Sequence, residues 1–187
     1  MKNYLNKSFK MIIVALLATI TFNVNAQKKS IEIETIKIID APKPEVYKAL
    51  KSLELFPKWS PFLVTDPNQK YEITGIDGEI GSKYSWEGVD EKTEGYQSLT
   101  QMKPNDYIKM SCEMYKPFKG KPIFEYELVE EDGKTKVIQN FSLKISGFNK
   151  FMVKMFGIKK KMIATNDLGM ARFKDLMESK DFLVSKK

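Results

Sequence analysis

Tyr107 to Ile145 reads YIKMSCEMYKPFKGKPIFEYELVEEDGKTKVIQNFSLKI, and the alternation within it decides the fold. Ile108, Met110, Cys112 and Met114 fall on one face of an extended chain, and Lys109, Ser111 and Glu113 on the other, because successive side chains of a strand point to opposite sides. Phe124, Tyr126 and Leu128 repeat the pattern. So do Val137, Phe141, Leu143 and Ile145, with Gln139 the one polar residue on that face. Asp132-Gly133 between the last two runs is a strong two-residue hairpin turn. The stretch therefore predicts three antiparallel strands, each with one apolar and one polar face.

Working back toward the N-terminus, the same period of two predicts strands near 70–75, 82–88 and 94–103, ahead of those at 106–116, 121–131 and 135–145. Before them, Phe56-Pro57-Lys58-Trp59-Ser60-Pro61-Phe62 reads as an aromatic loop with a short helical turn. A helix precedes it, with Val46, Tyr47, Leu50 and Leu53 at helical spacing and Asp40 expected as its N-cap before Ala41-Pro42-Lys43-Pro44. Ile31, Ile33, Ile36 and Ile38 predict a first strand that changes phase near Thr35. Working forward, the period returns to 3.6. Phe148, Phe151, Met152, Met155 and Phe156 predict a short helix ended by Gly157. A longer helix is expected from about Ile158 to Ser179, with Met162, Ile163, Met170, Phe173, Leu176 and Met177 on its apolar side.

The expected fold is thus α+β: a curved antiparallel sheet of about seven strands wrapped on a long C-terminal helix, with two short helices after the first strand. A sheet of that size curls, and the helix must bury its stripe against the concave side. With the short helices closing one end, the enclosed space suits a ligand cleft. All eight methionines beyond residue 26 lie between 102 and 177, and flexible thioethers suit an adaptable apolar wall as well as an ordinary core.

Residues 1–26 read as a secretory signal. Lys2, Lys7 and Lys10 precede the apolar run Met11 to Phe22, and Val24-Asn25-Ala26 is a small-residue end suited to cleavage. The run is short of the roughly 20 residues needed to span a bilayer. One domain is expected over 27–187, exported to the periplasm or secreted. The chain carries 31 basic and 24 acidic residues; they are interspersed, which favours a solvated surface over a nucleic-acid footprint. A single cysteine, Cys112, allows no internal disulfide. The complete absence of histidine excludes Ser-His-Asp and Cys-His nucleophilic sites and removes the commonest ligand of catalytic zinc. No metal or cofactor is expected.

Several segments together resemble the SRPBCC superfamily, which includes START, Bet v 1-like and polyketide cyclase/dehydrase-like proteins. They are Ala41-Pro42 with Glu45-Val46-Tyr47, the aromatic loop 56–62, Gly81-Ser82-Lys83-Tyr84-Ser85-Trp86-Glu87-Gly88, Gly95 with Leu99-Thr100, Lys116-Pro117-Phe118, and Asp167-Leu168-Gly169-Met170-Ala171 with Phe173-Lys174. The resemblance runs from Ile36 to about Glu178. It implies a helix-grip fold with a deep hydrophobic cavity beneath the C-terminal helix. Members range from lipid carriers to enzymes. The start of the last helix departs from its relatives, reading Ala164-Thr165-Asn166-Asp167 where they are often glycine-rich and acidic.

The inward faces supply the candidate ligand contacts. Trp59 and Phe62 come from the aromatic loop, and Tyr84 and Trp86 from one strand face. Met110, Met114, Tyr126, Gln139 and Phe141 come from the later strands, and Met162, Met170 and Phe173 from the helix. Gln139 is the polar contact, since a buried amide requires partners. Glu87 shares a face with Lys83 and Ser85 and is expected to point outward, and no catalytic residue is assigned. Gly75, Gly78 and Gly81 match no phosphate-loop spacing and read as a hairpin. The leading expectation is binding or carriage of a lipid or other hydrophobic small molecule. One alternative is a cyclase, dehydratase or hydrolase using a cavity carboxylate with Tyr84 or Tyr126; another is a protein-interaction domain with a filled core. Phe148 to Lys161, ending in Lys159-Lys160-Lys161, suggests transient contact with an anionic membrane surface, against the plainer reading of a lid. The oligomeric state is left open.

Overall fold

Alternation along seven segments gives seven strands, and all of them join one antiparallel sheet. The computed structural model describes residues 30–145 and 157–179; the leader expected at 1–26 and the helix expected at 148–156 lie outside them. In chain order the elements are β1 (Ser30–Ile39), α1 (Lys43–Lys51), α2 (Phe56–Trp59), α3 (Phe62–Thr65), β2 (Lys70–Thr74), β3 (Lys83–Glu87), β4 (Glu94–Lys103), β5 (Tyr107–Lys116), β6 (Ile123–Glu131), β7 (Lys134–Lys144) and α4 (Ile158–Glu178). The sheet order is β1-β7-β6-β5-β4-β3-β2, so every neighbour but one follows in sequence. The exception is β1, which pairs along its full length with β7.

Turn chemistry sets the registers. Asp132 and Gly133 both take positive φ, 51° and 76°, as a tight primed hairpin requires, and Glu131 pairs with Lys134 across it. The loop between β2 and β3 is tied to the end of α1. The Asp77 carboxylate accepts hydrogen bonds from the Ser52 hydroxyl and from the backbone N–H groups of Leu53 and Glu54, at 2.7, 2.6 and 3.2 Å.

Three sequence expectations are corrected here. β1 keeps one phase throughout: Ile31, Ile33, Thr35 and Ile39 are buried, and Ile36 and Ile38 are exposed. Thr35 is a small polar residue that the inward face accepts, and reading it as a break exchanged the faces beyond it. Asp40 does not cap α1. The flanking residue is Pro42, with no side-chain cap, while the Asp40 backbone N–H donates to Glu178 Oε1 at 2.8 Å. Ile163 of α4 is exposed, and Asn166 and Gly169 take its place on the buried stripe.

Helix α4 packs against β1 and α2. Since β1 is an edge strand with unpaired backbone groups, polar side chains of the helix seal it. Lys174 Nζ donates to the Ile38 carbonyl at 2.8 Å, and Asp167 forms an ion pair with Lys37 at 2.7 Å. Between helix and sheet lies the main core. Val46, Leu50 and Leu53 pack there with Leu99, Ile108, Met110, Val137, Met170, Phe173 and Met177, each at most 1% exposed.

Candidate functional site: a cavity between sheet and helix

Above that core the same elements diverge around a cavity of about 370 Å³. The strands reach it in order along their inward faces. β5 contributes Ile108 and Met110 to the core, then Cys112 and Met114 to the cavity; β7 contributes Val137 to the core, then Gln139, Phe141 and Leu143. Helix α4 does the reverse, lining the cavity with Ile158, Lys161, Met162, Thr165, Asn166 and Gly169 before Met170 and Phe173 enter the core. Phe56, Trp59, Pro61 and Phe62 close one side, and Pro117, Phe118 and Pro122 another.

Nine of the twelve candidate contacts line this space: Trp59, Phe62, Tyr84, Trp86, Met114, Tyr126, Gln139, Phe141 and Met162. Met110, Met170 and Phe173 do not. They lie on the expected faces but farther along their elements, toward the end that α1 fills, and they pack fully buried in the core. Trp59 serves both environments. Its ring stands edge-on to Phe56 at 4.9 Å and meets Phe173 at 5.2 Å, while it also forms part of the cavity wall.

Close backbone approach at Gly95 positions Trp86. A Cβ there would lie 2.4 Å from the Glu113 carbonyl oxygen and 2.9 Å from the Trp86 ring, and the β4–β5 register shifts between Glu94 and Gly95. Gly169 allows α4 to approach Pro61, whose ring would be 3.2 Å from an added Cβ.

Apart from Lys161, the polar groups of the wall are neutral. Gln139 Nε2 donates to the Tyr126 hydroxyl at 3.1 Å. The Cys112 thiol donates to Gln97 Oε1 at 3.9 Å. The Tyr84 hydroxyl donates to Gln69 Oε1 at 3.4 Å. Burial pushes the Cys112 thiol up to about 12. Burial also raises the Tyr84 hydroxyl, with Tyr71 adding to the rise. For Tyr126 burial again raises the hydroxyl, against the opposing effect of the Gln139 hydrogen bond. All three groups are therefore protonated at neutral pH. Trp59 Nε1, Gln97 Nε2 and Gln139 Oε1 are buried without a hydrogen-bond partner.

Gln97 was not singled out from the sequence, although its signal is that of Gln139: a polar residue between Gly95 and Leu99 on a face that is otherwise inward. Phe118 and Phe124 were also missed as contacts. Phe124 meets Phe141 at 5.1 Å.

Among the described lining residues there is no Asp or Glu, and Lys161 alone is charged. Glu87 is exposed, as alternation predicts. The described residues hold no cluster of three or more metal-ligating side chains, and none of their helices is long and apolar enough to cross a membrane.

No family model matches the sequence, and no curated protein matches it. Solved structures do resemble the fold. The protein of unknown function SA2116 from Staphylococcus aureus superposes with a TM-score of 0.62 at 16% identity, over 85% of this chain and 98% of its own. The Aha1 dimer protein from Colwellia psychrerythraea gives 0.51 at 16% identity, over 79% and 96%. Ara h 8.0201, a Bet v 1-like protein, gives 0.50 at 15% identity, over 77% and 98%. The chain has the helix-grip fold of Bet v 1-like proteins.

Proposed function

We propose that this protein binds a hydrophobic small molecule, a lipid or lipid-like compound, in the cavity beneath α4 and does no covalent chemistry on it. The observation that carries this reading is the wall itself: about 370 Å³ lined mainly by aromatic, aliphatic and thioether side chains, with neutral polar groups and the single charge of Lys161. Sites for small molecules share that composition and span roughly 300–1,000 Å³. Burial of apolar ligand surface supplies the affinity at about 25 cal/mol per Å² removed from water.

The enzyme reading carries less weight. General acid–base work needs a group that changes protonation near the working pH. The lining tyrosines are pushed away from that range, and the described wall contributes no carboxylate. A domain with a filled core is disfavoured by the cavity itself.

We place the site of action outside the cytoplasm, on the basic, apolar and small-residue order of residues 1–26. The start of α4 suits transient contact with an anionic surface. Lys159, Lys160 and Lys161 are exposed in the first turn of α4, beside Ile158 and Met162 of the cavity wall.

Native mass spectrometry of the protein purified from its own source, followed by denaturing extraction, tests the proposal. The expected result is a stoichiometric hydrophobic compound released on denaturation. An empty protein that also takes up no lipid extract contradicts it.

A further inference from the structure

The floor of the cavity carries polar atoms that the protein leaves unused. Gln97 and Gln139 are 6% and 4% exposed, and both line the cavity. Each spends one amide atom on a neighbour. Gln97 Oε1 accepts from Cys112, and Gln139 Nε2 donates to Tyr126. The other atom of each, Gln97 Nε2 and Gln139 Oε1, has no partner. A buried amide atom in that condition is costly, and native structures leave few of them. Turning either amide over exchanges its nitrogen and oxygen but still leaves one atom of each unpaired.

These four residues form two ladder pairs, one across β4 and β5 and one across β6 and β7, offset along the sheet because Tyr126 stands opposite Ile108 and not Cys112. Gln97 pairs with Cys112 in the ladder, and Tyr126 with Gln139. They sit where the filled core gives way to the cavity, since Leu99, Met110, Leu128 and Val137, two residues along each strand, are core. Both pairs are without charge. Lys161, the one charged lining residue described, belongs to the first turn of α4 and is exposed. An ionised ligand group at either amide would lose its hydration and meet no counter-charge among the described residues.

We infer that the ligand carries an uncharged group that both donates and accepts hydrogen bonds, a hydroxyl or a carboxamide, seated at the unpaired amide atom of Gln97 or Gln139. This rests on the proposed binding function and narrows its ligand class to neutral amphiphiles entering polar end first. The apolar remainder fills the space lined by Trp86, Met114, Phe141 and Met162. Burying the ligand's polar group against an orphaned amide satisfies ligand and protein at once, so the preference over a plain hydrocarbon is set by hydrogen bonds that exist only in the complex.

The test is displacement of the fluorescent apolar probe phenylnaphthylamine by decane, decanol and decanoate at pH 8. Wild type is compared with the near-isosteric double variant Q97M/Q139M and with the single variant Q139M. The expected result is a decanol-to-decane affinity ratio at least about tenfold higher in wild type than in the double variant, the single variant lying between and decanoate the weakest competitor in wild type. Thermal melts verify that each variant is folded, and the single variant carries the comparison if the double does not fold. A ratio equal in wild type and variants means that water satisfies the amides, and overturns the inference while leaving hydrophobic binding intact. Decanoate binding as tightly as decanol also overturns it. Failure of the probe and of all three compounds to bind wild type removes the binding function itself, and the inference with it.

Discussion

The two ends of the space between sheet and helix are built by the same elements and end differently. Toward α1, Leu50, Leu53, Ile108, Met110, Met170 and Phe173 meet with no more than 1% exposure. Toward the start of α4, Met114, Phe124, Phe141 and Met162 stand around about 370 Å³ of open space. Side-chain size does not account for the contrast, since methionine and phenylalanine serve both ends. What differs is the third layer. Helix α1 inserts Val46, Leu50 and Leu53 into the first end, whereas among the described residues the second is bounded by α2, by the turn around Pro117 and by α4 itself. A filled core needs a layer that follows its contour; a bounding turn that only spans the rim leaves room beneath it.

The sharpest way to break this comparison is to truncate one residue at each end. Phe173→Ala removes a fully buried ring from the filled end and is expected to cost about 3–5 kcal/mol. Met114→Ala, half-buried beside space that already exists, is expected to cost about 1 kcal/mol. Urea unfolding of the two variants reads the difference directly, and equal losses would mean that the cavity end is packed as tightly as the core.

Gly95→Ala probes the wall at its most crowded point. The added methyl would meet the Glu113 carbonyl and the Trp86 ring, so the expected cost is about 1–3 kcal/mol. Because the ring must move, Trp86 emission should shift, and an apolar probe should bind more weakly. An unchanged emission spectrum would show that Trp86 is not held by this contact.

The smallest effect is a dependence on alkaline pH. The Cys112 thiol is pushed from its ordinary value of 9.0 to about 12 by burial. A raised folded value means that the unfolded chain gives up its proton first. The stabilising contribution is therefore whole below pH 9 and is lost as pH rises toward 12, at up to about 1.4 kcal/mol per pH unit while only the unfolded state ionises. Melting curves at pH 8, 9.5 and 10.5 should show a steeper fall for wild type than for Cys112→Ala. Parallel curves would place the thiol in contact with solvent.

Much of this architecture is legible in the sequence because it is local. Alternation in β5, β6 and β7 and the Asp132-Gly133 turn define a hairpin series whose boundaries match within a few residues. Gly157 and the periodic stripe after it give α4. What is less legible depends on the third dimension. Met110 and Met114 are equivalent in the pattern of β5, and nothing local states that α1 covers one and not the other. Thr35 was misread, and Asn166 left off the buried stripe, for a related reason. A polar residue on an inward face looks like a change of face until its hydrogen bond is seen, as with Asn166 Nδ2 donating back to the Met162 carbonyl at 2.8 Å. Gln139 was found by treating such a residue as a signal, and the same rule applied to β4 finds Gln97.

The central claim is that the open end takes up an apolar molecule, and the protein carries its own reporters for it. Both tryptophans of the chain, Trp59 and Trp86, line the cavity. The most direct measurement is energy transfer from them to phenylnaphthylamine during a titration of the folded protein. The account predicts saturable transfer at one probe per chain, with emission from both tryptophans quenched. Transfer that rises linearly without saturating, or is absent from protein with an intact melting transition, would contradict it.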